Sequence, residues 1–104
     1  MQPTALLSTL LLATVTSAWK LDLYASDGRK VATHGTVDSG CKNIEFTPVL
    51  NLNRANFNPD TALYPDPGTF ELYVNRGCSG LSYRNGRGDH RLTPARNIRS
   101  YKVY

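Results

Sequence analysis

Residues 70–104 read FELYVNRGCSGLSYRNGRGDHRLTPARNIRSYKVY, and the alternation within them decides the fold. Phe70-Glu71-Leu72-Tyr73-Val74, Leu81-Ser82-Tyr83 and the run from Ile98 to Tyr104 each place alternate residues on one side. That is the period of a half-buried antiparallel strand. Arg76-Gly77 and Asn85-Gly86 interrupt these runs, and the second pair tolerates the positive φ of a tight hairpin. Upstream lie Leu21-Asp22-Leu23-Tyr24, Val31-Ala32-Thr33-His34 and Ile44-Glu45-Phe46, separated by turn residues at Ser26-Asp27-Gly28 and Ser39-Gly40. The first of these runs recurs as Phe70-Glu71-Leu72-Tyr73, 49 positions later, in the pattern apolar, acidic, Leu, Tyr. Pro65-Asp66-Pro67-Gly68 stands before the second copy as a natural linker, and Leu50–Asp60 lacks a period. That stretch reads as a long loop with room for one helical turn. Many short strands predict an all-β chain, a β-sandwich or small barrel, and the repeat points to two stacked four-stranded motifs sharing one core.

Residues 1–18, MQPTALLSTLLLATVTSA, contain no charged side chain. An apolar run over Leu6–Ala13, followed by the small residues Thr16 and Ala18, reads as a secretory signal peptide. The run is too short for a transmembrane helix, which needs about 20 apolar residues. The expected product is a single extracellular domain, residues 19–104, too small for a large cofactor-enclosing fold. A core of this size is marginal on burial alone. Cys41 and Cys78 are the only cysteines, and in an oxidising compartment they are expected to pair as a structural disulfide. Closing that loop is worth about 4 kcal/mol in the chain-entropy view. Metal ligands at short spacing are lacking.

Twelve Lys and Arg against eight Asp and Glu give a net charge of +4, unevenly spread. From Trp19 to Asn75 the balance is −2; from Arg76 to Tyr104 it is +6. Arg76, Arg84, Arg87, Arg91, Arg96, Arg99 and Lys102 either serve solubility or form a binding surface for membrane headgroups, acidic polysaccharide, nucleic acid or an acidic protein, and an anionic cell envelope or a target protein is the expected partner. For an exported chain, nucleic acid is not the expected partner, and a monomer is the expected state.

Residues 70–104 resemble a βγ-crystallin Greek-key motif. Such a motif has an aromatic strand residue with a glycine seven positions later, here Tyr73 and Gly80. The glycine serves a hairpin folded over its sheet, where a positive φ is required. A serine near the last strand, here Ser100, pins that hairpin, and Arg91-Leu92-Thr93-Pro94 is typical of the connection. Over 21–64 the resemblance is weaker: Tyr24 fits, but Val31 occupies the glycine position. Microbial and fungal secreted relatives include killer toxins, antifungal proteins and a metalloproteinase inhibitor. The resemblance thus implies two Greek-key motifs, about 20–64 and 69–104, forming a small β-sandwich, and a small fungal secreted toxin-like or effector-like protein; the residue inventory adds the expectation that it is non-enzymatic. It also implies a place to look for Ca²⁺, Arg96-Asn97-Ile98-Arg99-Ser100-Tyr101. Asn97 and Ser100 match the ligand pattern, whereas Arg96 sets a cation where an oxygen belongs, so calcium binding is expected to be lost or weak.

Two other function classes are open. Inhibition of an extracellular protease would use an exposed, strand-flanked loop such as Gly77–Gly88. A small ribonuclease would draw on His34, His90, Glu45, Asp38, Asp89 and an arginine as base, acid and phosphate clamp. Only that inventory agrees; both histidines read as surface residues, and no nucleophile turn or phosphate-cradling glycine loop is present. Arg87-Gly88-Asp89 matches an adhesion tripeptide beside a turn, and reads first as ordinary turn composition. Tyr24, Phe70, Tyr73, Tyr83 and Tyr101 read as core or cross-strand residues, while Trp19 and Tyr104 stand at the ends of the mature chain and read as less tied down.

Overall fold

The computed structural model describes residues 18–59 and 67–104. Residues 1–17 of the expected leader, and Pro65 and Asp66 of the linker, lie outside the described residues. Eight strands follow in order: β1 (Trp19–Ala25), β2 (Lys30–Gly35), β3 (Gly40–Asn43), β4 (Leu50–Asn58), β5 (Phe70–Asn75), β6 (Ser79–Asn85), β7 (Gly88–Ile98) and β8 (Ser100–Val103). They form two four-stranded antiparallel sheets, sheet A in the order β2-β1-β4-β7 and sheet B in the order β3-β8-β5-β6. Replacing each strand of the first half by its counterpart in the second turns one order into the other. Each motif keeps three strands and lends its third to the other sheet. The chain is all-β, a Greek-key sandwich, as the alternation predicts, and no helix occurs among the described residues.

The core comes from the alternating positions. Trp19, Leu21 and Leu23 of β1 and Leu50, Leu52, Ala55 and Phe57 of β4 face Phe70, Leu72, Tyr101 and Val103 of sheet B. An aromatic chain crosses both motifs: Trp19 to Phe57 at 6.4 Å, Phe57 to Phe70 edge-on at 5.4 Å, then Phe70 to Tyr83 at 6.0 Å. Each large apolar side chain buried here contributes about 2 kcal/mol.

Several local expectations are corrected. Leu50–Asn58 is strand β4 rather than a loop. Its buried positions run Leu50, Leu52, then Ala55, Phe57, because the register shifts between Leu52 and Arg54. A bulge at Asn53 inserts one residue and flips the phase, which erases the period from the sequence. Ile44-Glu45-Phe46 is not a strand; β3 lies just before it, and residues 44–49 carry the chain from sheet B back to sheet A. Asn85-Gly86 is not a hairpin turn, since β6 and β7 belong to different sheets and the pair begins the crossing between them. Arg91-Leu92-Thr93-Pro94 lies inside β7, where that strand leaves register with β4.

The two hairpins differ. In the second, Gly77, Cys78 and Gly80 all have positive φ, at 72°, 56° and 75°. Ser100 sits beneath it, donating from its hydroxyl to the Asn75 carbonyl and accepting from the Cys78 N–H at 2.9 Å. The first is a plain hairpin over Ala25–Arg29, with Gly28 at φ 96° and Val31 half-buried against the core. Asn51 serves it as Ser100 serves the second, accepting from Ser26 at both its backbone and its side-chain oxygen.

Strand β3 exposes all four of its residues, so burial does not hold it to β8. The Cys41–Cys78 disulfide does, joining the lent strand to the folded-over hairpin. Trp19 is equally fixed, contrary to the expectation that it is less tied down: it is 2 % exposed, and its indole N–H donates to the Val37 carbonyl at 2.9 Å. The ring lies across its cross-strand partner Gly35.

Two predictions follow from these constraints. The double substitution Cys41→Ala, Cys78→Ala should lower unfolding stability by about 4 kcal/mol, roughly two buried leucines' worth, as read by urea denaturation. In Gly35→Ala the new Cβ would stand 2.8 Å from Cζ2 of Trp19. Since that ring cannot shift without losing its hydrogen bond, this variant should lose about 1–3 kcal/mol and red-shift tryptophan emission.

Candidate functional site

The outer face of sheet A is a grid set by strand register. Leu21 and Leu23 point inward, so Lys20, Asp22 and Tyr24 point out, and their partners on β2, β4 and β7 do the same. One row runs Lys30–Tyr24–Arg54–Arg91 across all four strands. The next runs Ala32–Asp22–Asn56–Asp89, and Lys20 and His34 form part of a third. In the first row the Tyr24 ring stands between two cations, with Lys30 Nζ 5.2 Å and Arg54 Cζ 4.5 Å from its centroid. Arg54 Nε also meets Asp89 Oδ1 at 2.7 Å. That hydrogen bond raises the guanidinium's pKa and holds the carboxyl below its ordinary value. Beside the rows, a hollow of about 270 Å³ along β2 is lined by Lys20, Asp22, Lys30 and His34.

The seven expected binding cations do not share one surface. Arg91 joins the row on sheet A, while Arg84 and Lys102 lie on strands of sheet B. Arg96 donates to the Ser82 carbonyl at 3.1 Å and lies over the Tyr83 ring, bracing β7 against the edge of β6. Arg99 donates to the Val74 carbonyl. Arg76 pairs with Glu45 at 2.6 Å, both well exposed, a contact worth about 1 kcal/mol at most. Lys102 lies over the Tyr104 ring. Arg87 has contacts of its own at the crossing before β7. Three members of the sheet A face, Lys20, Lys30 and Arg54, come from the acidic half of the chain, where linear counting does not look. The alternation of β1 and β2 marks Lys20 and Lys30 as outward; the Asn53 bulge hides Arg54.

The other candidates are placed as follows. His34 is on β2 and points outward beside Lys20; His90 is on β7 and points inward opposite Ala55, packed on Phe70 at 5.7 Å and bonded to the Gly86 carbonyl. The two strands are opposite edges of sheet A, about 14 Å apart, so the histidines are not brought to one site. Glu45 is in the β3–β4 crossing, paired with Arg76. Asp38 lines a second groove of about 270 Å³ with Trp19, His34, Lys42 and Tyr101. In the tripeptide, Gly88 and Asp89 open strand β7, and Arg54 takes the Asp89 carboxylate, so it is not a free loop tip. Gly77–Gly88 likewise contains strand β6 rather than a loop. Asn97 Oδ1 accepts from Asn51 at 3.0 Å, and Ser100 is engaged with the hairpin. No cluster of three or more His, Cys, Asp or Glu occurs among the described residues. Nor is any helix among them long and apolar enough to cross a membrane.

One polar cluster was not foreseen. Glu71, 8 % exposed on sheet B, receives the hydroxyls of Tyr73 and Tyr104, with Arg84 at 3.5 Å. Tyr104 is thus tied down by its side chain as well as by backbone bonds to Gly68 and Thr69. Acidic-x-Tyr in the repeat was the visible signal. Burial pushes the Glu71 carboxyl up, but the hydroxyls of Tyr104 and Tyr73 and the Arg84 charge outweigh it and leave the pKa lowered. Burial, then the bond to Glu71, pushes Tyr73 up to about 12.

These features define a two-sheet Greek-key sandwich with one open, charge-patterned face. No known protein family, curated protein or solved structure matches the chain.

The Glu71 cluster sets a pH dependence. A carboxyl whose pKa is lowered on folding stabilises fully above its unfolded value of 4.5, and that contribution is lost as pH falls through the folded value. Tyr73 acts with opposite sign: its contribution is complete below pH 10.0 and disappears as pH rises towards about 12. Thermal melts of the native protein should therefore fall on acidification below pH 4.5. Glu71→Gln should flatten that acid limb while costing about 2 kcal/mol at pH 7, the scale of hydrogen bonds to a charged group.

Proposed function

We propose that the chain is an exported, non-enzymatic binding protein, toxin-like or effector-like, built as a βγ-crystallin-like sandwich and acting at a target-cell surface. The family reading is supported by the exchange of third strands and by the Gly80 hairpin pinned by Ser100. Export is supported by the uncharged leader in the sequence and by a disulfide joining the two halves. The observation that carries the functional reading is the outer face of sheet A. Its side chains are charged and patterned across four strands, and the hairpin at its end leaves it open. A ribonuclease would need an acid and a base at one phosphate, and the two histidines are a sheet's width apart. The inhibitor reading has less support, since most of Gly77–Gly88 is strand β6 and Arg96 occupies the Ser82 carbonyl on its edge.

A host that secretes protein, given residues 1–104, should release a product beginning at Trp19 with no free thiol. That product should bind yeast or plant cells and inhibit their growth, with both effects falling steeply between low and physiological salt because exposed charges are screened beyond about 8 Å at 0.15 M. Mass spectrometry, cell pull-down and growth curves read these outcomes. Hydrolysis of RNA by the purified product, or salt-independent cell binding, would overturn the reading.

A further inference from the structure

We infer that the outer face of sheet A binds a carboxylate-bearing polysaccharide, laid along the row Lys30–Tyr24–Arg54–Arg91. This rests on the binding-protein reading and names the ligand for its face. The row spans the full sheet, about 14 Å from β2 to β7, a run suited to a short stretch of linear polymer. Lys30, Arg54 and Arg91 supply three cations along it, and a guanidinium's planar fork matches a carboxylate.

The neighbouring row selects among polyanions. Asp22, Asn56 and Asp89 form the next outward row, two residues along the strands from the cations. A duplex nucleic acid carries phosphates along both edges and would set one line of them against those carboxylates. A uronic-acid chain has a carboxylate on one side of each sugar and hydroxyls on the other. It can place the first on the cationic row and donate the second to Asp22, Asp89 and the Asn56 amide. Base stacking has no platform, because Lys30 and Arg54 already cover the Tyr24 ring. A lipid surface has no apolar wedge here: the exposed large apolar residues Val37, Phe46, Val74 and Leu81 all lie off this face.

The test is titration of the secreted, oxidised protein with oligogalacturonate of defined length, followed by calorimetry and by NMR. Binding should weaken as salt rises, and the Tyr24 ring signals should shift. The exposed pair Lys30→Gln, Arg91→Gln should weaken binding about tenfold or more, two charge-assisted contacts being lost. Arg76→Gln, Lys102→Gln, which removes the same charge away from this face, should leave it unchanged. Equal weakening by both pairs, no binding of oligogalacturonate, or preference for phosphatidylserine vesicles or single-stranded RNA would each overturn the inference. Cell binding that survives Lys30→Gln, Arg91→Gln would sink this site and leave the broader reading standing. Oligogalacturonate binding without cell binding would do the reverse.

Discussion

The rest of the structure depends on the exchange of third strands between the two halves. Without β7, sheet A ends at β4 with an unpaired edge; without β3, sheet B ends at β8 in the same condition. Each half would also show a bare apolar face to water, since Leu21, Leu23 and Leu52 pack against Phe70, Leu72 and Val103. Neither half is a domain. The exchange also explains the single disulfide: β3 has paired backbone but no buried side chains, so its place on sheet B relies on the covalent tie to Cys78. The corresponding lent strand β7 is longer and buries Leu92 and Ile98, and it has no such tie.

The halves are related by repeat, yet their outer faces have different fates, and the difference starts at one position. Gly80 adopts a positive φ, which lets the β5–β6 hairpin fold back over sheet B, with Ser100 and the disulfide beneath it. Tyr73 and Glu71 are buried there although they lie on an outward side, Glu71 beneath the hydroxyls of Tyr73 and Tyr104. Val31 stands at the same place in the first half, and a β-branched side chain strongly resists that conformation. The first hairpin therefore continues its strands, and sheet A keeps a flat open face. Tyr24, the counterpart of Tyr73, stands there between two cations instead of beneath a lid.

Much of this was legible in the sequence, and the failures have physical causes. Strands β1 and β2 were visible because one sheet face is wet and the other dry, and β5 and β8 because polar residues alternate with apolar ones there even though both faces of β5 are buried. Strand β4 was not, since the Asn53 bulge shifts its buried set from even to odd positions. Asn85-Gly86 has hairpin composition, but a crossing between sheets needs the same tolerant residues, and composition does not say which sheet the next strand joins. Trp19 and Tyr104 read as loose because they stand at the ends of the expected mature chain. Gly35 and Glu71, far from them in sequence, are what fix them.

Charge shows most clearly how topology overrides sequence order. Summed along the chain, the first half is acidic and the second basic, which directs attention to the last 29 residues. The fold disperses those residues: Arg96 and Arg99 cap backbone carbonyls, Arg84 turns to Glu71, and Arg76 to Glu45. In the first half, Asp27, Asp38 and Glu45 fall in turns and crossings, while Lys20, Lys30 and Arg54 fall on outward strand positions. Strand exchange then lays β7 beside β4 and adds Arg91 to them. Three members of the cationic row come from the first half, and the fourth joins them only because sheet A is completed by a strand of the other motif.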